Sequence, residues 1–418
     1  MRNKITLFKN KNSLDNLLFF FFCIYPISFL LGNFSINLFL FIFNILLALG
    51  VSKKYYDLKS ISKPILLALC FLFLFFLTNL IFSNNFQLTY PRILKFILII
   101  GFIISFRQLI ISFDETKIIK LYKIWSLIFL VVLLDITFEL IFKSNIFGFK
   151  SFMPGRIASF SGAELNIGHF FSAFSLIFLS FIHSKYKSIS LNLSLSIILI
   201  TISFMIGERS NFIKTLIIIS TFIFLVYKIN IQYKILSISS LIVFFIIFLN
   251  INSSYKHRYF YQFTNILSTD GISSYLDNTI YGAHYNVAKE IFKDNKFFGV
   301  GIKNFRIESY SKKYDNLEHK QNDRRANTHP HQIHYEFLAE TGLVGYLSFT
   351  IFIIFSIYLA IKSYINNKIL FQLSGIFYVV VSLLPLLPSG SFFSTYTSSL
   401  FWLNYAIMVG YIKNHTKS

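Results

Sequence analysis

Charge is scarce in this sequence. Only 14% of its 418 residues are charged and 55% are hydrophobic, whereas ordinary soluble domains carry about 25% charged residues. Cysteine is scarcer still. The two present, Cys23 and Cys70, both lie in apolar runs, which excludes a disulfide framework or a thiolate metal site. No small-residue cleavage site follows the first apolar run, so that run is expected to stay as a membrane span. No βαβ pattern surrounds Gly299 and Gly301, which excludes a dinucleotide-binding loop. The abundant Phe, Ile, Lys and Asn are compositional bias with little functional meaning. What the chain does have is a succession of apolar runs of about 20 residues, the length needed to cross a bilayer as a helix. Only one polar segment is long enough to form an extramembrane domain.

Twelve spans are expected, at 14–32, 34–50, 62–82, 93–112, 122–142, 165–183, 188–206, 210–227, 233–251, 343–361, 369–388 and 395–412. The net charge of +21 suggests nucleic acid until its placement is followed. Lys and Arg gather at alternate span ends: Arg2, Lys4, Lys9 and Lys11, then Lys53 and Lys54, Arg107 and Lys117, Lys185 and Lys187, Lys228 and Lys234, Lys362 and Lys368, Lys413 and Lys417. This alternation puts both termini in the cytoplasm and faces the charge to anionic lipid headgroups, with no nucleic-acid partner. Three regions on the opposite side break the rule: Arg156 in the loop after span five, Arg209 in the tight turn Gly207-Glu208-Arg209-Ser210, and the net-basic segment 252–330, which includes Asp270. Three units follow: 1–251 with about nine spans, 252–330 as a loop domain, and 331–418 with about three. Within the loop domain, Tyr281 to Phe292 is expected to be helical, and Phe297-Phe298-Gly299-Val300-Gly301-Ile302 to end that helix in a turn. Asp135 and Glu139, one helical turn apart in span five, either line a site or pair with an outer Arg or Lys.

Three of the nine histidines fall within six residues, His329, His331 and His334, where the polar segment meets span ten. Pro330 suits the first turn of a helix, with Thr328 or His329 near the cap. His331 and His334 would then share a face, and Glu340 would lie opposite, anchoring the helix to the loop domain. Three readings stay open. The histidines hold zinc, with Asp323 as a fourth ligand, although no strong metal spacing is present. They are hydrogen-bonded and inert. Or they work as acid–base or contact groups beside outer arginines, which would hold a phosphate through paired donors.

The segment His331-Gln332 followed by Glu340-Thr341-Gly342-Leu343-Val344-Gly345 resembles the O-antigen ligase and polymerase family of bacterial membrane glycosyltransferases. Phe297 to Phe305 resembles the family's glycine pair. Gly207 to Ser210 resembles its outer turn, with Glu208 replacing a small residue. Arg156, Phe160 and Asn166 resemble its Arg, Phe and Asn loop. Gln332 stands where Asn is usual. Tyr281 to His284 occupy the place of a further Arg, which Arg258 would fill. The resemblance implies an all-α membrane protein of GT-C type with about twelve transmembrane helices and one long periplasmic loop. It implies a multi-pass protein of the bacterial inner membrane with its site facing the periplasm. The donor would be an undecaprenyl-diphosphate-linked glycan; the acceptor would be a lipid A core or a lipid-linked glycan. The reaction would invert the anomeric centre without metal or cofactor. Arg209 and His331 would be catalytic, and Arg156, Arg258, Arg325 and His334 would bind substrate. A ligase is the reading adopted, with a polymerase as the alternative. A polyprenol-linked glycan transporter would instead need polar residues through several span middles.

Overall fold

The computed structural model describes residues 11–261, 264, 276–385 and 387–413. Arg2, Lys4, Lys9, Asp270 and Lys417 lie outside the described residues. No strand occurs among them. Nine long helices come first: α1 (Lys11–Leu31), α2 (Asn33–Ser52), α3 (Lys63–Ile81), α4 (Phe86–Ser112), α5 (Glu115–Phe142), α6 (Ile167–Tyr186), α7 (Ile189–Ile206), α8 (Arg209–Val226) and α9 (Ile231–Ile251). After the polar segment with its helix α10 (Ile280–Asp294) come α11 (Ile333–Asn367), α12 (Leu370–Ser382) and α13 (Thr395–Gly410). The chain is an all-α, multi-pass membrane protein. Twelve helices stand where spans are expected, and ten of the described helices are long and apolar enough to cross a membrane. The exceptions, α12 and α13, have 13 and 16 residues.

The apolar residues divide by position. Phe22, Phe43, Phe102, Phe106 and Trp125 are buried among α1, α2, α4 and α5, while Phe34, Phe71, Leu134 and Ile354 are exposed on the outside of the bundle. Outward-facing apolar side chains are what lipid contact requires. Of the 21 residues of α9 only Lys234 and Leu241 are buried, so this helix lies at the periphery. A smaller apolar core, Val287, Ala288, Ile291, Val300, Phe305, Tyr314 and Ala339, ties α10 and the polar segment to the start of α11.

Helix α11 is broken near its start at Gly342, which takes φ 65° and ψ −171°. The turn after α10 enters the break: Leu343 N donates to Lys296 O (2.7 Å), Gly301 N to Glu340 O (2.9 Å) and Val300 N to Ala339 O (3.0 Å). A Cβ on Gly342 would sit 2.4 Å from the Phe297 carbonyl carbon, and one on Gly299 2.4 Å from that of Glu340. Two backbones meet here with no room for a side chain. Glu340 completes the joint by accepting from Lys303 N (2.8 Å) and Phe305 N (3.3 Å), the anchoring expected of it.

Candidate functional site

The loop between α5 and α6 is held from below by the two carboxylates of α5. Glu139 accepts from Ala158 N (2.9 Å) and Ser159 N (2.5 Å), and Asp135 from Ser159 Oγ (2.6 Å) and Ile146 N (3.0 Å). This corrects the expected pairing with an outer Arg or Lys: the two bind loop backbone and a hydroxyl, and among the described residues neither forms an ion pair. The loop they hold presents Arg156, whose guanidinium meets Glu208 at 3.2 Å and donates to Leu165 O. Glu208, in the turn between α7 and α8, also accepts from Gly168 N (3.0 Å) and Asn211 Nδ2 (2.5 Å). Burial pushes the Glu208 carboxyl up, and Arg156 with these donors pulls it back toward the charged form.

Next to Glu208, Arg209 donates to Arg258 O (3.3 Å), and Arg258 Nε donates to Gly207 O (2.5 Å). Arg258 sits on a π-helical turn, His257–Tyr261. Burial, and then the charges of Arg156 and Arg209, lower its guanidinium from the usual range. Three arginines from three separate segments therefore converge, with one carboxylate among them. Beside Arg258 opens a depression of about 520 Å³ that Met153, Pro154, Ser254 and His257 also line.

The histidine segment lies elsewhere on the same face. Its helix starts later than expected: the cap of α11 is Gln332, whose side chain accepts from Tyr335 N (2.9 Å). His331 precedes the helix with φ 60°, a left-handed conformation uncommon outside glycine, so it shares no helical face with His334. Its ring stands 5.4 Å from that of His284, 5.6 Å from Tyr281 and 4.0 Å from His329. Asn327 Nδ2 donates to Nε2 of both His331 (3.2 Å) and His284 (3.1 Å), while His284 Nδ1 faces Arg325 O at 2.9 Å. With the amide as donor, both histidines are neutral and accept at Nε2. Burial and then the neighbouring His284 hold His331 down to about 4. Burial likewise lowers His284, and burial with the charges of His331 and Lys303 lowers His329.

Two expected ligands stand apart. His334 Nε2 bonds Leu383 O (2.8 Å), at the end of α12, and its Nδ1 bonds Tyr346 OH (3.1 Å), further along α11 across its break, so both ring nitrogens are used. The Arg325 guanidinium is engaged by Asp315 and by the Ser311 and Asn322 carbonyls, and only its own carbonyl reaches the histidines. Asp323 is exposed beside Arg324. Among the described residues no group of three His, Cys, Asp or Glu side chains is placed to hold a metal ion.

Between the arginines and the histidines lies a cavity of about 40 Å³ lined by His169, Lys214, Ile333, Ser389 and Gly390, among others. His169 follows Gly168, and Lys214 lies one turn along α8 from Asn211; Gly168 and Asn211 are the donors to Glu208. On the far wall, Ser389 N donates to His331 O (2.7 Å). Sequence reasoning missed His169 and Lys214. A lysine inside an apolar run is a signal by itself, and Lys214 carried it. His284 and Asn327 gave no such signal, because only the fold brings them to His331.

Residues 193–350 match the family model described as O-antigen ligase. This stretch includes Arg209, Arg258, Arg325, His331 and His334, and stops short of Arg156. The match covers less than half of the 418 residues, and what it shows is that this stretch is similar to the O-antigen ligase family. No curated protein matches the chain.

Proposed function

We propose that the protein is an O-antigen ligase-type glycosyltransferase of the bacterial inner membrane, working on the periplasmic face. It moves a glycan from undecaprenyl diphosphate to a sugar hydroxyl of a lipid A core. The observation that carries this reading is the convergence of Arg156, Arg209 and Arg258 on the same face as a neutral, half-buried His331. Three guanidiniums with one carboxylate among them suit a multiply charged anion, which planar forks bind in pairs. The acceptor oxygen attacks the anomeric carbon, and the bond from that carbon to the diphosphate oxygen breaks. The electron pair leaves with the diphosphate, whose growing charge the fixed arginines neutralise. The hydroxyl replaces Asn327 on His331 Nε2 and passes its proton there. Attack opposite the leaving group inverts the anomeric centre, and the step as written uses no metal. Lys214 and His169 line the passage between the two groups. Arg325 and His334 act by holding the histidine segment in place.

The experiment is reconstitution of the full chain in liposomes with polyprenyl-diphosphate glycan and, separately, lipid A core or a second lipid-linked glycan. Glycan on lipid A core supports the ligase. Extension of the lipid-linked glycan alone moves the assignment to a polymerase, and passage of intact donor across the bilayer without transfer would replace both by a transporter.

A further inference from the structure

A second group of cations lies on the same face, away from the three arginines. The α3–α4 turn docks on residues 300–304: Asn84 N donates to Val300 O (2.9 Å), Thr89 Oγ1 to Ile302 O (2.9 Å), and Asn304 Nδ2 to Thr89 Oγ1 (2.9 Å) and Ser83 Oγ (3.0 Å). Three and six residues beyond Thr89, α4 carries Arg92 and Lys95. The docked segment carries Lys303 and Arg306. Their charges interact: Arg306 acts on Arg92, Arg92 and Lys303 act on Lys95, and Arg306 and Arg92 act on Lys303.

The charges do not balance. Among the described residues, none of the four cations forms an ion pair. The two carboxylates within reach, Glu336 and Glu340, are already hydrogen-bonded. Glu336 accepts from Ser391 Oγ (2.5 Å) and Phe392 N (2.7 Å), and Glu340 from Lys303 N and Phe305 N. Lys303 spends its ammonium on Ser391 Oγ. Among the described residues, the buried Lys95 Nζ and Arg306 Nε have no hydrogen-bond partner. Four like charges packed together with two buried donors unmet are costly without an anion to share. The group also has a position. Ser391, which holds Lys303, is two residues from Ser389, which holds His331, and His329 feels the Lys303 charge. The histidine segment thus stands between two cationic groups.

We propose that Arg92, Lys95, Lys303 and Arg306 form a second phosphate site, which takes the phosphate of the acceptor lipid. The acceptor part rests on the reading that the first arginine group holds the donor. An ammonium and two guanidiniums gathered together supply donors for several phosphate oxygens at once. Bound there, an acceptor lipid brings its sugar to the side of His331 away from the donor diphosphate.

The test uses the purified full chain and inorganic diphosphate as probe, read by thermal midpoint. Arg209→Ala, which removes the donor site, should still be stabilised by diphosphate. Adding Lys95→Met and Arg306→Gln should remove that response, and Lys95→Arg with Arg306→Lys should keep it. An equal response with and without Lys95→Met/Arg306→Gln overturns the site. Nanodiscs separate the sources of phosphate. If phosphatidylglycerol abolishes the diphosphate response and phosphatidylcholine does not, the site is a general headgroup site and the acceptor assignment falls. In transfer assays, Lys95→Met/Arg306→Gln should raise the KM for acceptor about tenfold or more, equivalent to about 1.4 kcal/mol, and leave the KM for donor unchanged. A rise in the donor KM alone overturns the assignment. A chain with no transferase activity leaves the midpoint experiment to decide on the phosphate site by itself.

Discussion

In the proposed mechanism Arg209 and His331 act by different physical means, and their variants separate them. Arg209→Ala should abolish transfer, and Arg209→Lys should restore little of it, because an ammonium is a point charge without the planar fork; activity with each purified variant checks this. For His331, pH is the probe. Burial among His284, His329, Tyr281 and Asn327 lowers its pKa to about 4, below the ordinary value of about 6.5. The folded site therefore binds fewer protons than the unfolded chain between these values. The neutral ring, and the stability that goes with it, is fully present above about pH 6.5 and is lost as pH falls through about 4. The acid limb of kcat/KM should lie near pH 4. Asn327→Ala should move it upward, since the amide donates to the nitrogen that would take the proton. An acid limb unchanged by Asn327→Ala would show that this hydrogen bond does not set the histidine's basicity.

At the scale of elements, the joint between the α10 turn and the break in α11 positions the histidine segment. Gly342→Ala faces left-handed backbone strain, of order 1–3 kcal/mol, and a carbonyl carbon 2.4 Å from the new methyl. It should lower the midpoint of thermal unfolding and the yield of folded protein, whereas Leu343→Ala, at a side chain exposed on the outside of the bundle, should change either little. Equal midpoints for the two variants would mean that the joint is plastic. The glycine pair, the helix Tyr281 to Phe292 and the anchoring by Glu340 were legible in the sequence, since periodicity and glycine placement follow from local chain geometry. The start of α11 was not. Pro330 gives a sound local signal for a first turn, but Gln332 caps the helix, and Ser389 and Asn327 hold the residues before it, from 58 residues and 4 residues away. The pairing of Asp135 and Glu139 with an outer Arg or Lys failed for a related reason. Carboxylates suggest charged partners, while the loop folded over them offers backbone N–H groups that no sequence pattern displays.

For the whole molecule, the bundle of apolar helices was legible because lipid imposes length on helices, and the placement of Lys and Arg gives an expected sidedness for its loops. Reporter fusions after Tyr227 and after Ser311 should report opposite sides of the membrane; the same side for both would separate Arg209 from His331. Activity should survive EDTA. Complete loss restored by one divalent ion would bring back the metal reading of the histidines. The convergence of Arg156, Arg209 and Arg258 was expected as a shared side of the membrane, while the contacts between them, and the part of Glu208 in setting them, came only with the fold. The most direct test of the whole account is transfer by membrane-inserted His331→Ala, with lipid-donor binding measured separately on the same preparation. Loss of a positioned acid–base group costs roughly 10²–10⁴-fold in rate, so turnover should fall by that much while donor binding is retained. Near-wild-type transfer by His331→Ala would contradict the account.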